Sequence, residues 1–167
     1  MVTRNMESVI SLIIMDEGGI ADVGDGKGVT RYGQTPAWIE AWDLVPPGTM
    51  ADAAANYEAV FKKTGVDEVI ERDVATGHAL ATFAIHAGET AAISALQREL
   101  HVVVDGVIGP KTLQALERAS DSVVAHGLVA AYVEYVLGEA MANRTRDNRQ
   151  YARGWSRRAG KLIRGLA

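Results

Sequence analysis

Ahead of Gly18, apolar residues recur at spacings of three and four, at Met6, Val9, Ile10, Ile13 and Ile14, and the run then breaks into Gly18 and Gly19. This period puts them on one face of an amphipathic helix that ends at Asp16 and Glu17. Similar segments, punctuated by start and stop signals, follow along the chain. Thr35 before Pro36 predicts a helix with proline in its first position, closed by Pro46-Pro47-Gly48. Thr49 with Asp52 three residues on predicts a capping box and a helix over Met50–Lys63, stopped by Gly65. Residues 67–88 predict either one helix broken near Gly77 or two short ones, with Ala79, Leu80, Phe83 and Ala84 as the core-facing stripe. Further helices are predicted over Glu89–Leu100, from Pro110 after a turn at Asp105-Gly106, and over about 122–142 and 148–166. The longest strand-like run is Val102–Val104, and there is no repeat of solenoid length. The expected fold class is all-α.

A chain of 167 residues can bury a core without covalent staples, and its lack of cysteine excludes disulfide frameworks and thiolate metal or redox sites. The apolar run Val9–Met15 is interrupted by Ser11 and ended by Asp16, which makes it a poor signal peptide and too short a membrane span. Charge is unevenly distributed. Residues 143–167 carry +7 while the first 142 carry −11, within a formal total of −4. Such asymmetry points to an anionic partner for the tail, or to a basic amphipathic helix docked on an acidic body.

The segment following the first helix, MDEGGIADVGDGKGVTRYG, admits three readings. A calcium loop starting at Asp22 would need oxygen ligands at its third, fifth and twelfth positions, where Gly24, Gly26 and Gly33 stand. A phosphate loop would follow a strand and carry Ser or Thr after its lysine, whereas this one follows a helix and Gly28 follows Lys27. The third reading is a catalytic acid. Glu17 lies at the negative end of a helix dipole and follows Ile13, Ile14 and Met15, and both a dipole and desolvation favour a protonated carboxyl. A general acid of that kind can protonate a glycosidic oxygen. Asp22 or Asp25 could then supply the second carboxylate of glycoside hydrolysis, and the Thr30 hydroxyl could hold a water. On spacing alone, acids in a glycine-rich loop are more often solvated turn formers.

The pattern Glu17-Gly18-Gly19, Asp25, Gly28, Thr30-x-Tyr32-Gly33-x-Thr35 resembles glycoside hydrolase family 108, the N-acetylmuramidases of phage endolysins and their bacterial relatives. The resemblance continues through Gln97, Asp105, Gly106, Ile108, Gly109, Pro110 and Thr112, similar to the family's C-terminal peptidoglycan-domain pattern, and through Gly154, Trp155 and Arg158. The chain departs from the pattern at Ile20, where an aromatic is usual, and at His86-Ala87-Gly88, where an asparagine usually stands first. The resemblance implies that Glu17 is the catalytic acid, with Asp25 and Thr30 in supporting roles. It also implies a lysozyme-like unit with two lobes and a groove between them, residues 1–85 forming the muramidase region and 86–167 the peptidoglycan-binding region.

Expected substrate contacts are Asp22, Tyr32 as a sugar-stacking ring, and His86, which is equally well read as a core histidine. Trp38, Trp42 and Trp155 are read as packing residues, and the Asp105-Gly106 turn as chiefly structural. Bacterial peptidoglycan is the expected partner of a monomer needing neither metal nor cofactor. Nucleic acid is not expected, and the basic C-terminal helix is a candidate for contact with anionic membrane lipids. The enzyme would be made in a host cytoplasm and released to the periplasm or wall. The alternative is a non-catalytic peptidoglycan-binding or scaffold protein.

Overall fold

The computed structural model describes residues 3–21, 28–142 and 149–165, and they fold almost entirely as helices. The chain divides into two compact units, Met1–Val74 and Ala75–Ala167.

In the first unit, helix α1 spans Arg4–Glu17. The hydroxyl of Thr3 accepts from the Met6 amide at its start, and Gly18, at φ 79°, closes it by donating to the Ile14 carbonyl. The expected apolar face is the buried one, at Met6, Val9, Ile10, Ile13 and Ile14. A two-stranded antiparallel ladder follows, β1 (Ile20–Ala21) and β2 (Thr30–Arg31), with Ile20 opposite Arg31 and Ala21 opposite Thr30. These strands fall below the length at which alternation shows in a sequence. Thr35 caps α2 (Pro36–Ala41), with Pro36 in its first turn. Thr49 and Asp52 form the capping box of α3 (Met50–Thr64), and left-handed Gly65 ends it. Helix α4 (Val66–Arg72) is short, and α1, α3 and α4 pack on one another. Their interface is made of the α1 face with Ala53, Tyr57, Val60, Phe61, Val66, Val69 and Ile70, all buried. Each fully buried aliphatic side chain contributes about 1.5–3 kcal/mol, so this face is what holds α1 in place.

Helix α5 spans Val74–Ala87. Asp73, in extended conformation, separates it from α4, so of the two expectations for residues 67–88 the structure has the two helices and not one helix broken near Gly77. Gly77 is buried inside α5. A mid-helix glycine costs only about 1 kcal/mol, which burial readily offsets. Ala79, Leu80, Phe83 and Ala84 are buried as expected. Then come α6 (Glu89–Glu99), α7 (Pro110–Arg118), α8 (Asp121–Ala142) and α9 (Arg149–Gly165). Helix α8 packs against both α6 and α9. Its Tyr132 is fully buried and meets the Phe83 ring edge-on at 5.7 Å. Val102–Val104 is loop, not strand.

Candidate active site and the peptidoglycan-domain turn

Glu17 is the last residue of α1 and is half-buried. Past it, Gly18 and Gly19 turn the chain into β1, and the Tyr32 amide donates to the Gly19 carbonyl at 2.9 Å. The two ends of the glycine-rich segment are thereby drawn together. Arg31 and Gln34 exchange backbone hydrogen bonds at 3.0 and 2.9 Å across Tyr32 and Gly33, which both have positive φ, 51° and 83°. Two left-handed residues at the centre of a reciprocal pair make a tight hairpin turn of the primed kind. Tyrosine rarely adopts that conformation, and local backbone strain of this sort concentrates at functional sites.

Gly33 is the contact point. A Cβ there would lie 2.6 Å from the Glu17 Cγ and 2.6 Å from the Tyr57 hydroxyl, so only glycine lets the turn lie flat against the acid. From α3, the Tyr57 hydroxyl donates to the Tyr32 carbonyl at 2.8 Å. Buried Gln34 donates from Nε2 to the Ala53 carbonyl at 2.8 Å, and its Oε1 accepts from Asn56 Nδ2, also at 2.8 Å. Asn56 also donates to the Val45 carbonyl at 3.0 Å. The turn carrying Tyr32 and Gly33 is thus fixed by α3 on one side and rests on Glu17 on the other. Tyr57 is buried and packed between Trp38, at 5.5 Å, and Phe61, at 5.9 Å. Burial drives its phenol well above the ordinary tyrosine range, and the negative charge of Glu17 pushes it the same way.

Of the residues expected to desolvate Glu17, Ile13 and Ile14 are buried in the core and Met15 is 72% exposed. Gly33 and the Tyr57 hydroxyl also come close to the acid, forty positions further along in the case of Tyr57, a pairing that no local pattern announces. Thr30 lies on β2, two residues before Tyr32, and both are half-buried. Asp22 and Asp25 lie outside the described residues. Trp38 and Trp42, expected in the core, are half-buried, and the Lys63 ammonium sits 5.2 Å from the centre of the Trp42 ring. The Trp155 side chain lies outside the described residues.

His86 belongs to the second unit, in α5. Its Nδ1 is 2.8 Å from the Thr82 carbonyl, which can only accept, so Nδ1 carries the proton. The ring lies 5.5 Å from that of Tyr132, and the Tyr135 hydroxyl donates to the His86 carbonyl at 3.3 Å. Among the described residues, no three His, Asp or Glu side chains gather as a metal site.

In the same unit, Gln97 organises the loop between α6 and α7. Its side chain is buried. Nε2, with two hydrogens, donates to the Asp105 carboxylate at 2.7 Å and the Val107 carbonyl at 2.9 Å, and the Thr112 hydroxyl lies 3.2 Å away. Oε1 accepts from the amides of Asp105 and Gly106 at 3.0 and 2.8 Å. One side chain therefore spends its full capacity on the turn. The Asp105 carboxylate, also accepting from the Val107 amide, is held below the ordinary carboxylate range, chiefly by Gln97. This is the structural role expected of the Asp105-Gly106 turn.

Residues 91–160 match the family model described as a predicted peptidoglycan domain. Its span includes the Gln97 turn, α8 and most of α9. The structure is similar to that of SagA from Brucella abortus, with a TM-score of 0.75, 27% sequence identity, and coverage of 96% of this chain and 92% of that one. No curated protein matches the chain. The family match associates the protein, through residues 91–160, with peptidoglycan.

Proposed function

We propose that the protein is a peptidoglycan hydrolase, an N-acetylmuramidase of the glycoside hydrolase 108 type that cleaves the β-1,4 bond from N-acetylmuramic acid to N-acetylglucosamine. One observation carries this reading: the two halves of the family-like pattern, Glu17-Gly18-Gly19 and Tyr32-Gly33, meet in space, with Gly33 against the Glu17 side chain. A solvated loop has no need of so close an approach.

In the proposed reaction the Glu17 carboxyl gives its proton to the glycosidic oxygen as the bond from the anomeric carbon breaks, so that the leaving sugar departs as an alcohol. Positive charge then develops on the ring left behind. The resemblance assigns its stabilisation, or the activation of water, to Asp25, and the holding of that water to Thr30. The fixed turn keeps the acid in one place, which is the positioning that proton transfer requires. Asp22, Tyr32 and His86 are proposed substrate contacts. The proposed setting is that of a phage endolysin, acting on the host wall after release from the cytoplasm.

Digestion of purified peptidoglycan, borohydride reduction and mass spectrometry test the reaction. The expected products carry reduced muramic acid ends. Reduced glucosamine ends, or intact glycan with cut peptide stems, would overturn the assignment. A second reading, a non-catalytic wall-binding protein, draws on the family match lying only within residues 91–160. It expects the protein to sediment with peptidoglycan and to release no reducing ends.

A further inference from the structure

The hairpin that carries Tyr32 and Gly33 also borders a cavity of about 230 Å³ that the proposed reaction leaves unused. Its walls are aliphatic, from Val29, Pro36, Ile39, Pro46 and Pro47. Ile39 and Pro47 are buried, and the other three are open to solvent. Gln34 reaches the cavity too, but its amide is already engaged by Ala53 and Asn56. The one charged group in the lining is Arg31, which is half-buried. Among the described residues the lining holds neither an acid nor an aromatic ring. These walls are held in place from two sides. A Cβ at Gly28 would stand 3.1 Å from the Pro36 Cγ, so the chain entering β2 lies against α2. The Arg31 backbone is tied to Gln34 across the turn and pairs with Ile20 across the ladder. The pattern Thr30-x-Tyr32 leaves position 31 open, so the resemblance gives Arg31 no role.

A guanidinium over aliphatic walls suits a carboxylate carried on short alkyl groups, because the planar fork grips both oxygens while the walls cover the methyls. An unsubstituted sugar is served poorly there. It brings no charge for Arg31, and the cavity offers no ring for it to stack on. Position narrows the choice further. Arg31 precedes Gly33 by two residues, at most about 7 Å of chain, and Gly33 lies against Glu17. A group bound at Arg31 therefore belongs to a sugar next to the acid. Of the two sugars in the polymer, N-acetylmuramic acid alone bears a lactyl ether, which ends in a carboxyl or continues into a peptide stem that brings a glutamate carboxylate. Resting on the muramidase reading, we infer that the Arg31 cavity receives this carboxylate-bearing arm and so selects muramic acid on its side of the cut bond.

Binding to disaccharides tests the inference without turnover, since N-acetylglucosaminyl-N-acetylmuramic acid lacks the bond that a muramidase cuts. Calorimetric titration of the full-length protein uses this disaccharide with and without its peptide stem, beside chitobiose, which has no lactyl arm. The parent should prefer the muramyl disaccharides. Arg31→Gln should weaken them about tenfold, the weight of one charge-assisted hydrogen bond, and leave chitobiose unchanged. Arg31→Lys, which keeps the charge and loses the fork, should fall between. Loss confined to the stem-bearing disaccharide places the stem carboxylate at Arg31, and loss for both places the lactyl carboxylate there. On the parent itself, added salt should weaken the muramyl disaccharides and not chitobiose, a comparison that needs no variant to fold. No preference over chitobiose, an equal response to salt, or full binding by Arg31→Gln overturns the inference. A parent with the Arg31-dependent preference that cuts no glycan would keep the cavity and lose the muramidase. Cleavage at muramic acid without that preference would do the reverse.

Discussion

Replacing Gly33 by alanine tests whether the Tyr32-Gly33 turn really lies against the acid. Two effects add at this position. The backbone has φ 83°, a left-handed conformation that costs a residue with a Cβ about 1–2 kcal/mol. The new methyl would also stand 2.6 Å from the Glu17 Cγ and 2.6 Å from the Tyr57 hydroxyl, and neither neighbour can simply move aside. Tyr57 is buried and holds the Tyr32 carbonyl, and Glu17 ends a helix. Overpacking of that kind costs about 1–3 kcal/mol more. The total, roughly 2–5 kcal/mol, is a large part of the stability of an ordinary domain. Gly18 is a different case: it too has positive φ, 79°, but its ψ of −160° lies in a region essentially reserved for glycine, and a Cβ there would meet nothing within 4 Å, so Gly18→Ala bears a backbone strain of its own without any collision. Urea unfolding should show Gly33→Ala less stable than the parent by roughly 2–5 kcal/mol. Glycan cleavage measured under conditions where the variant is folded should also fall, because its methyl displaces Glu17. If Gly33→Ala lost no more than the left-handed strain alone, about 1–2 kcal/mol, and cleaved glycan at the parent's rate, the contact between turn and acid would be refuted.

Other consequences concern Tyr57 and Gln97. Tyr57→Phe removes the donor to the Tyr32 carbonyl and should cost about 1–2 kcal/mol at neutral pH, read by denaturant unfolding. Because the folded phenol is raised, its contribution is present below the ordinary tyrosine value of about 10 and is lost as pH rises above it. The variant should lack that alkaline loss, and equal alkaline profiles would remove the argument. Gln97→Ala leaves the Asp105 and Gly106 amides without their acceptor and should destabilise by about 3 kcal/mol, whereas a loss under about 1 would mean water replaces the side chain. Asp105 is lowered in the fold, so its contribution is present above the ordinary carboxylate range and fades as pH falls below about 4. Asp105→Asn should flatten the acid limb of the stability profile, and an unchanged limb would show that other carboxylates set it.

The sequence was most legible where an element's end is chemically marked. Thr35-Pro36, the Thr49/Asp52 box and Gly65 each act within one turn, so their meaning survives folding. Glu17 at the end of α1 could be read the same way, because the apolar period stops where glycine begins. For residues 67–88 the sequence left one broken helix and two short ones open, because the boundary at Asp73 carries only a weak local signal while Gly77 offers a stronger one. The ladder of β1 and β2 is too short to leave a pattern. What surrounds the acid was least legible of all. Tyr57, Gln34 and Asn56 read as ordinary helix and loop residues until α3 is brought against the turn, and only then do their hydrogen bonds have partners. Gln97 stood within a recognisable pattern, but that it holds the turn with both ends of its amide follows only from the folded loop.

The most direct measurement is the rate at which Glu17→Gln releases reducing ends from purified peptidoglycan, beside its co-sedimentation with the same material. Loss of a general acid should slow release by about 10²–10⁴-fold while leaving sedimentation and unfolding unchanged. Release at the parent's rate would contradict the central claim that Glu17 is the proton donor.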